Sequence, residues 1–356
     1  MAKRICWCGN HALSSFNADY EKCMACGTLV SVAGLTDDEL KVADDETDFY
    51  GKQYWFEHQS KDLGFPNIID RARNDLTDRN LHWLRTLLKY KLPPANVLEL
   101  GCSHGSFVGL LRQAGYSAEG IELSPWVVEF ARKSFNVPVS LGPAENLNLP
   151  TESFDIVVLM DVLEHLPDPE GTMRHALSLV KQGGLLLIQT PEFKEEMEFD
   201  DLLQSKGAFL EMLRPDEHIY LFSKRSAKLL FSRLSAENLA FEQAIFGQYD
   251  MFFFVSRKPV EVLPAEAGQE ALLSTPTGRF VQAMLDVDAR AGVLAERVKA
   301  LSATLETVEE DREDRLTQIH TLTKLIHDIQ IVPRPKGKIK ALLEKFHELP
   351  ATPKSK

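Results

Sequence analysis

The sequence contains no run of about 18 apolar residues, the length a membrane-spanning helix requires. Its start, Met1-Ala-Lys-Arg-Ile-Cys6, lacks the apolar stretch and small-residue cleavage site of a secretory signal. A soluble, cytoplasmic chain is expected. Positive charge is in deficit: 40 Lys and Arg stand against 52 Asp and Glu, a net charge of −12, which repels a phosphate backbone and argues against nucleic acid as a partner. Cysteine is nearly absent beyond residue 26, where only Cys102 remains of five. What is left, 356 residues at 44% hydrophobic, suffices for one sizeable core with smaller modules attached.

The other four cysteines form two short pairs, Cys6-Trp7-Cys8-Gly9 and Cys23-Met24-Ala25-Cys26-Gly27, with fourteen residues between Cys8 and Cys23. Paired thiolates on tight turns supply four sulfurs to a tetrahedral zinc, and a cytosolic location disfavours disulfides. Residues 1–35 therefore read as a structural zinc knuckle ligated by Cys6, Cys8, Cys23 and Cys26, in which the metal provides folding energy. The first pair is Cys-x-Cys, one residue tighter than the usual spacing. Residues 36–74 follow as an acidic linker, with seven acids and one lysine from Asp37 to Asp48, and an aromatic lid, Phe49-Tyr50-Gly51-Lys52-Gln53-Tyr54-Trp55-Phe56.

From residue 75 to 257 the pattern becomes a single α/β domain. Leu76, Leu81, Leu84, Leu87 and Leu88 recur at helical spacing. Short apolar runs at 96–100, 118–121, 139–141, 155–160 and 185–190 then alternate with helices starting near Gly105, Pro125 and Pro169. Runs such as Ile156-Val157-Val158-Leu159-Met160 belong to a mostly parallel sheet covered on both faces. A helix near 224–235 and a hairpin from Leu239–Phe246 and Met251–Val255 complete seven strands in a Rossmann-like arrangement.

Residues 258–278, with Pro259, Pro264 and Pro276, read as a linker. Beyond them, fifteen positions from Phe280 to Ile329 follow one another in steps of four and three, and thirteen are apolar. Such a repeat predicts a coiled-coil helix over 279–331 and a homo-oligomer. Arg312 and Arg315 interrupt the seam. Residues 332–356 form a basic tail, the one segment that offers contact with a membrane surface.

The chemistry concentrates at strand ends. Gly101 and Gly105 follow the first strand with three residues between them, which is not the G-x-G-x-x-G spacing of a dinucleotide site. Glu122, at the end of the second strand, is placed to accept from ribose hydroxyls. Asp161 and His165 flank the end of the fourth strand, facing the ligand crevice. In Asp216-Glu217-His218-Ile219-Tyr220-Leu221-Phe222-Ser223, acid, imidazole and phenol fall close together. Glu217, His218 and Tyr220 join Asp161 and His165 as candidates for removing an acceptor proton.

Leu98-Glu99-Leu100-Gly101 through Gly105, Gly120-Ile121-Glu122-Leu123-Ser124, Ala144-Glu145-Asn146-Leu147, Ser153-Phe154-Asp155-Ile156-Val157, Asp161-Val162-Leu163-Glu164-His165-Leu166 and Gly183-Gly184-Leu185-Leu186-Leu187 resemble, in order, the motifs of class I S-adenosylmethionine (SAM) dependent methyltransferases. The resemblance implies that Glu99, Gly101, Cys102, His104 and Gly105 line the methionine and ribose of SAM. It further implies that Glu122 holds the ribose, that Leu123 and Ala144 sandwich the adenine, and that Glu145 lies near. Pro143 replaces an aspartate that many members use on the adenine amino group. Together with the cysteines, the Glu-His-x-Tyr-x-Phe-Ser stretch is similar to bacterial methyltransferases of sugar and polysaccharide biosynthesis, whose cysteines bind zinc and whose histidine and tyrosine help deprotonate the sugar. Methyl transfer to a carbon or oxygen of a sugar or glycan is thus expected. The alternatives are a small-molecule O-methyltransferase for an aromatic, lipid or quinone-like acceptor, and a zinc and coiled-coil scaffold with a vestigial SAM site.

Overall fold

A computed structural model describes residues 4–331 apart from 33, 36–38, 40, 41 and 43. The basic tail at 332–356 lies outside the described residues. The chain divides into two units, Met1–Asp288 and Ala289–Lys356. No described helix is long and apolar enough to cross a membrane.

In the first unit, strands β1 (Leu13–Ser15), β2 (Tyr20–Cys23) and β3 (Leu29–Ser31) precede the main domain. Helices α1 (Ile68–Asp75) and α2 (Leu81–Leu87) are joined by a π-helical turn, Leu76–Asn80. The domain continues through β4 (Asn96–Leu100), α3 (Ser106–Gln113), β5 (Ser117–Glu122), α4 (Pro125–Phe135), β6 (Val139–Leu141), β7 (Phe154–Met160), α5 (Pro169–Leu179) and β8 (Val180–Pro191). It ends with α6 (Phe199–Ser205), β9 (Tyr220–Leu221), α7 (Lys224–Arg233), β10 (Asn238–Glu242), β11 (Asp250–Ser256) and α8 (Ala265–Leu273). Seven strands form one sheet in the order β10-β11-β8-β7-β4-β5-β6. The pairs among β4, β5, β6, β7 and β8 are parallel, and β11 runs antiparallel to both β8 and β10. This is the mostly parallel seven-stranded sheet the apolar runs predict.

Period-2 alternation explains why the central strands are apolar on both faces. Ile156, Val158, Leu185, Leu187, Phe252 and Phe254 face a core shared with α2 and α3, whereas Val157, Leu159, Leu186, Ile188, Phe253 and Val255 face a core shared with α5 and α7. Helix starts follow capping rules. Ser124 accepts from Val127 N–H ahead of Pro125, Asp168 from Gly171 N–H ahead of Pro169, and Ser223 forms a capping box with Ser226.

Two segments differ from the sequence reading. The prolines of 258–278 do not keep that stretch irregular, because Pro264 precedes a helix rather than interrupting one. Helix α8 follows, with Leu272 fully buried and Gly268 packed on Leu88. The cysteine segment is likewise built into the domain. β1, β2, β3 and β9 form a four-stranded sheet in which Leu29 pairs with Leu221 and Val30 with Tyr220, while Cys6, Cys23 and Cys26 pack in the same core as Val157 and Leu159.

Helix α9 (Pro276–Ile331) is continuous over 56 residues. Its first part packs into the first unit through Val281 and Leu285, with Arg85 bonded to Asp288 at 2.5 Å. From Ala289 to Ile329 every residue is exposed.

Within the sheet, Gly120 is required by a close approach: a Cβ there would lie 2.4 Å from Cys102 Sγ and 2.8 Å from Cys102 Cβ. Gly120→Ala should lower stability by about 1–3 kcal/mol through overpacking, read as a fall in the urea midpoint. An unchanged midpoint would mean that the loop after β4 yields freely.

Candidate cofactor and acceptor site

The site begins where β4 ends. Gly101 (φ 68°), Ser103 (φ 48°) and Gly105 (φ 75°) all take left-handed conformations, which turn the chain sharply under the strand edge. A side chain at Gly101 would meet Val162 Cγ2 at 2.7 Å, and one at Gly105 would meet Ala131 at 3.0 Å. Cys102 N–H donates to the Ile121 carbonyl, binding the loop to β5.

Two carboxylates lie beneath this loop. Glu122 accepts from Ser103, Leu123 and Ser124 N–H at 3.0, 2.7 and 3.2 Å. Burial raises its pKa, opposed by these bonds. Glu99 is fully buried, its Oε2 has no partner, and burial followed by repulsion from Glu122 pushes its carboxyl well above the usual range. A buried acceptor without a donor calls for a cationic or N–H ligand, which the ammonium of SAM would supply. His104 faces Asp75 of α1, with Nε2 to Oδ2 at 3.0 Å. Burial alone would raise Asp75, but this bond and the nearby arginines outweigh it and bring the pKa to about 2.

A cavity of about 400 Å³ opens from Glu99, Gly101, Cys102, Ser103 and His104 towards Asp161, Glu164, His165, Glu217 and His218. Backbone bonds join its two halves: Ile219 N–H donates to the Glu164 carbonyl at 2.8 Å, and His165 Nδ1 reaches the Glu217 carbonyl at 2.8 Å. His218 Nδ1 contacts the Met212 carbonyl at 2.7 Å, and the two imidazoles stand 5.0 Å apart. A carbonyl only accepts, so each Nδ1 carries the proton and each Nε2 keeps a lone pair. Donor atoms of Glu164, His165 and His218 lie within 4.8 Å of one another, so the three converge on one point of the cavity. Burial lowers the pKa of both rings, and His165 adds to the effect at His218, which falls to about 3.

Other candidates are placed differently. Tyr220 does not line the cavity; as part of β9 it is buried in the core, and its hydroxyl donates to the Ile5 carbonyl at 3.0 Å. Its place between the cysteine segment and the domain explains the difference. Asp161 lines the cavity at φ 56°, but its oxygens already accept from Arg79 at 2.8 Å and Gln189 at 2.9 Å, so it orients those groups. Glu145 is exposed and accepts from Thr172 at 2.6 Å. Ala144 is buried at the start of the short turn Ala144–Asn146 that follows β6, and Leu123 is half-buried beside Glu122.

Other side chains in or bonded to the site are given no catalytic part by the sequence, where Tyr50 and Tyr54 read only as lid aromatics. Tyr54 donates to Glu217 Oε2 at 2.9 Å, and His58 Nε2 lies 2.9 Å from Glu217 Oε1. Tyr50 contacts His165 Nδ1 at 2.9 Å. Desolvation would lower His58, but Glu217 and Asp62 outweigh it and raise its pKa. Asp250, buried and next to Asp161, is pushed up to about 8. Asp45, one acid of the linker, accepts from Ser124 Oγ at 2.6 Å and Trp126 N–H at 2.7 Å at the start of α4.

The four cysteine sulfurs also converge within 4.8 Å, with Cys6 to Cys26 at 3.5 Å and Cys8 to Cys23 at 3.6 Å. A tetrahedron with metal–sulfur bonds of about 2.3 Å has edges of roughly 3.8 Å, so this donor set fits a zinc ion.

The chain is similar to known proteins over part of its length. Residues 72–240 match the family model described as a methyltransferase domain. A ubiquinone biosynthesis O-methyltransferase of Xanthomonas campestris is 36% identical over 105 residues, covering 28% of this chain and 44% of that protein. One of Coxiella burnetii is 27% identical over 137 residues, covering 34% and 58%. The chain thus spans less than two thirds of these relatives. Among solved structures, a SAM-dependent methyltransferase of Thermotoga maritima described as a possible histamine N-methyltransferase is 22% identical, covering 54% of this chain and 96% of that one, TM-score 0.40. Magnesium protoporphyrin IX methyltransferase of Synechocystis is 18% identical, covering 59% and 97%, TM-score 0.42.

The buried histidine makes stability depend on pH. His218 is neutral in the fold down to about pH 3, whereas an unfolded histidine takes a proton near pH 6.5. As pH falls from about 6.5 towards 3 the unfolded state binds more protons, and stability is lost. His218→Gln should flatten that decline in urea titrations between pH 7 and 4. An undiminished slope would show that the ring is not held neutral.

Proposed function

We propose that this chain methylates a hydroxyl group of a small acceptor bound in the cavity, with SAM as donor. The observation that carries this reading is the single cavity joining the Gly101–Gly105 loop to the paired imidazoles of His165 and His218. SAM supplies an electrophilic methyl on a cationic sulfonium. Glu99 would take the ammonium and Glu122 the ribose hydroxyls, with Leu123 and Ala144 flanking the adenine. Cys102, His104 and Gly105 shape the loop around the methionine half. The Nε2 lone pairs of His165 and His218 would accept the proton that an acceptor hydroxyl loses. Glu217, tied to Tyr54 and His58, would steady that charge.

The curated relatives over the core of the domain bear the name of quinone-biosynthesis O-methyltransferases, which supports a phenolic, quinone-like acceptor above the sugar expected from the cysteine and Glu-His-x-Tyr motifs. A sugar hydroxyl remains the second reading. Arg71, Asp78, Arg79 and Arg214 on the cavity wall would suit a polyhydroxylated molecule. Zinc on Cys6, Cys8, Cys23 and Cys26 has a structural role in either case, because these residues pack in the core and do not line the cavity.

Incubation with labelled SAM and separate panels of polyphenols and nucleotide sugars, read by mass spectrometry, tests the acceptor. Label on a phenolic oxygen is expected, label confined to sugars supports the second reading, and absence of SAM binding by calorimetry rejects both. Glu122→Ala should weaken SAM binding by about 1.5–3 kcal/mol, the value of hydrogen bonds to a charged group; unchanged affinity would remove Glu122 from the ribose site. For the metal, elemental analysis should find one zinc per chain, and Cys23→Ser should lose it together with several degrees of thermal midpoint. A metal-free parent of equal stability would reject the zinc assignment.

A further inference from the structure

The second unit has a surface that the catalytic reading leaves unused. From Ala289 to Ile329 the helix is exposed all round, yet Leu294, Val298, Leu301, Leu305, Val308, Ile319, Leu322, Ile326 and Ile329 run along it in one line. Val298, Leu301 and Leu305 are 62, 60 and 58% exposed. An apolar stripe of this length, broken at Arg312 and Arg315, marks an interaction surface, and a helix without a packed face is marginal in water.

With seven-residue positions a to g, the a sites are Ala291, Val298, Leu305, Arg312, Ile319 and Ile326, and the d sites are Leu294, Leu301, Val308, Arg315, Leu322 and Ile329. A parallel, in-register pair would set Arg312 on Arg312 and Arg315 on Arg315 in consecutive layers. It would bring no opposite charges together along the flanks, since Arg290 and Arg297 at g would meet Ala295 and Ser302 at e. An antiparallel pair sets a against d. In the register that joins Val298 to Val308 and Leu305 to Leu301, Arg312 lies over Leu294 and the long Arg315 lies over Ala291, the smallest seam residue. Arg297 then meets Asp311 across the flank, twice by symmetry. The same register covers Val287 and Phe280, 57 and 75% exposed on the same line, with Ile319 and Ile326. Arg315 is bonded to Asp311 at 2.7 Å within its own helix, which keeps its charge at the edge of the seam.

We propose that this helix pairs with the same helix of a second copy of the chain, antiparallel, in the register Val298 to Val308. A like-sequence partner is favoured because the charges, the large and small side chains and the apolar line complement one another by that symmetry alone.

The full chain should have the mass of two copies by light scattering. Leu301→Glu with Leu305→Glu should reduce it to one copy, with the urea midpoint of the first unit unmoved. The chain's own five cysteines lie at or before residue 102, outside this helix, so the parent chain oxidised alongside gives the background against which the added cysteines are read. On oxidation a mixture of Val298→Cys and Val308→Cys chains should cross-link, and neither variant alone should do so. A parent mass of one copy, or of three or more, overturns the pairing. Cross-linking of Val298→Cys with itself overturns the antiparallel register in favour of a parallel one.

Discussion

The hydrogen bond from Ile219 N–H to the Glu164 carbonyl holds the site together. It fastens the stretch carrying Glu217 and His218 to the loop after β7, and β9, two residues on, continues into the sheet built by the cysteine segment. Catalytic candidates from residues 161–165 and 217–218 thereby face each other over the crevice at the carboxyl ends of the parallel strands, where open α/β sheets bind ligands. Without that bond, the imidazoles of His165 and His218 would have no reason to stand ring to ring.

This arrangement gives the cysteines a part in the chemistry without contact. Their sulfurs share a core with the central strands, and the strands they organise end against Tyr220 and Leu221. Ordering the knuckle therefore orders β9, and β9 sets the position of His218. If these sulfurs hold a metal, as proposed, part of its binding free energy would be felt at His218.

Much of the domain was legible because its signals are local. The apolar runs gave the strands, Gly101 and Gly105 the loop, and Glu122 the strand end, and each appears where the spacing puts it. What was not legible depends on distant pairing. Asp45 reads as one acid in a charged linker until Ser124 and Trp126 stand beside it. Tyr50 and Tyr54 read as lid aromatics until Glu217 and His165 arrive from residues far along the chain. Tyr220 is placed by pairing of the same distant kind: β9 begins at this residue and pairs with β3 of the cysteine segment, so the phenol packs in the core, bonded to the Ile5 carbonyl, and not in the cavity. The prolines of 258–278 also misled, since a proline starts a helix as readily as it breaks one.

Asp45 and the tyrosines belong to one short run of chain. Its near end grips the start of α4 beside Glu122, and a few residues later its side chains grip Glu217 and His165. The two ends of the crevice are therefore not thermodynamically independent. Whatever free energy one ligand spends in loosening or tightening this run is felt by the other, in equal measure and in both directions. Affinities measured for donor and acceptor separately would then fail to sum to that of the ternary complex, and the discrepancy would measure the stiffness of some ten residues.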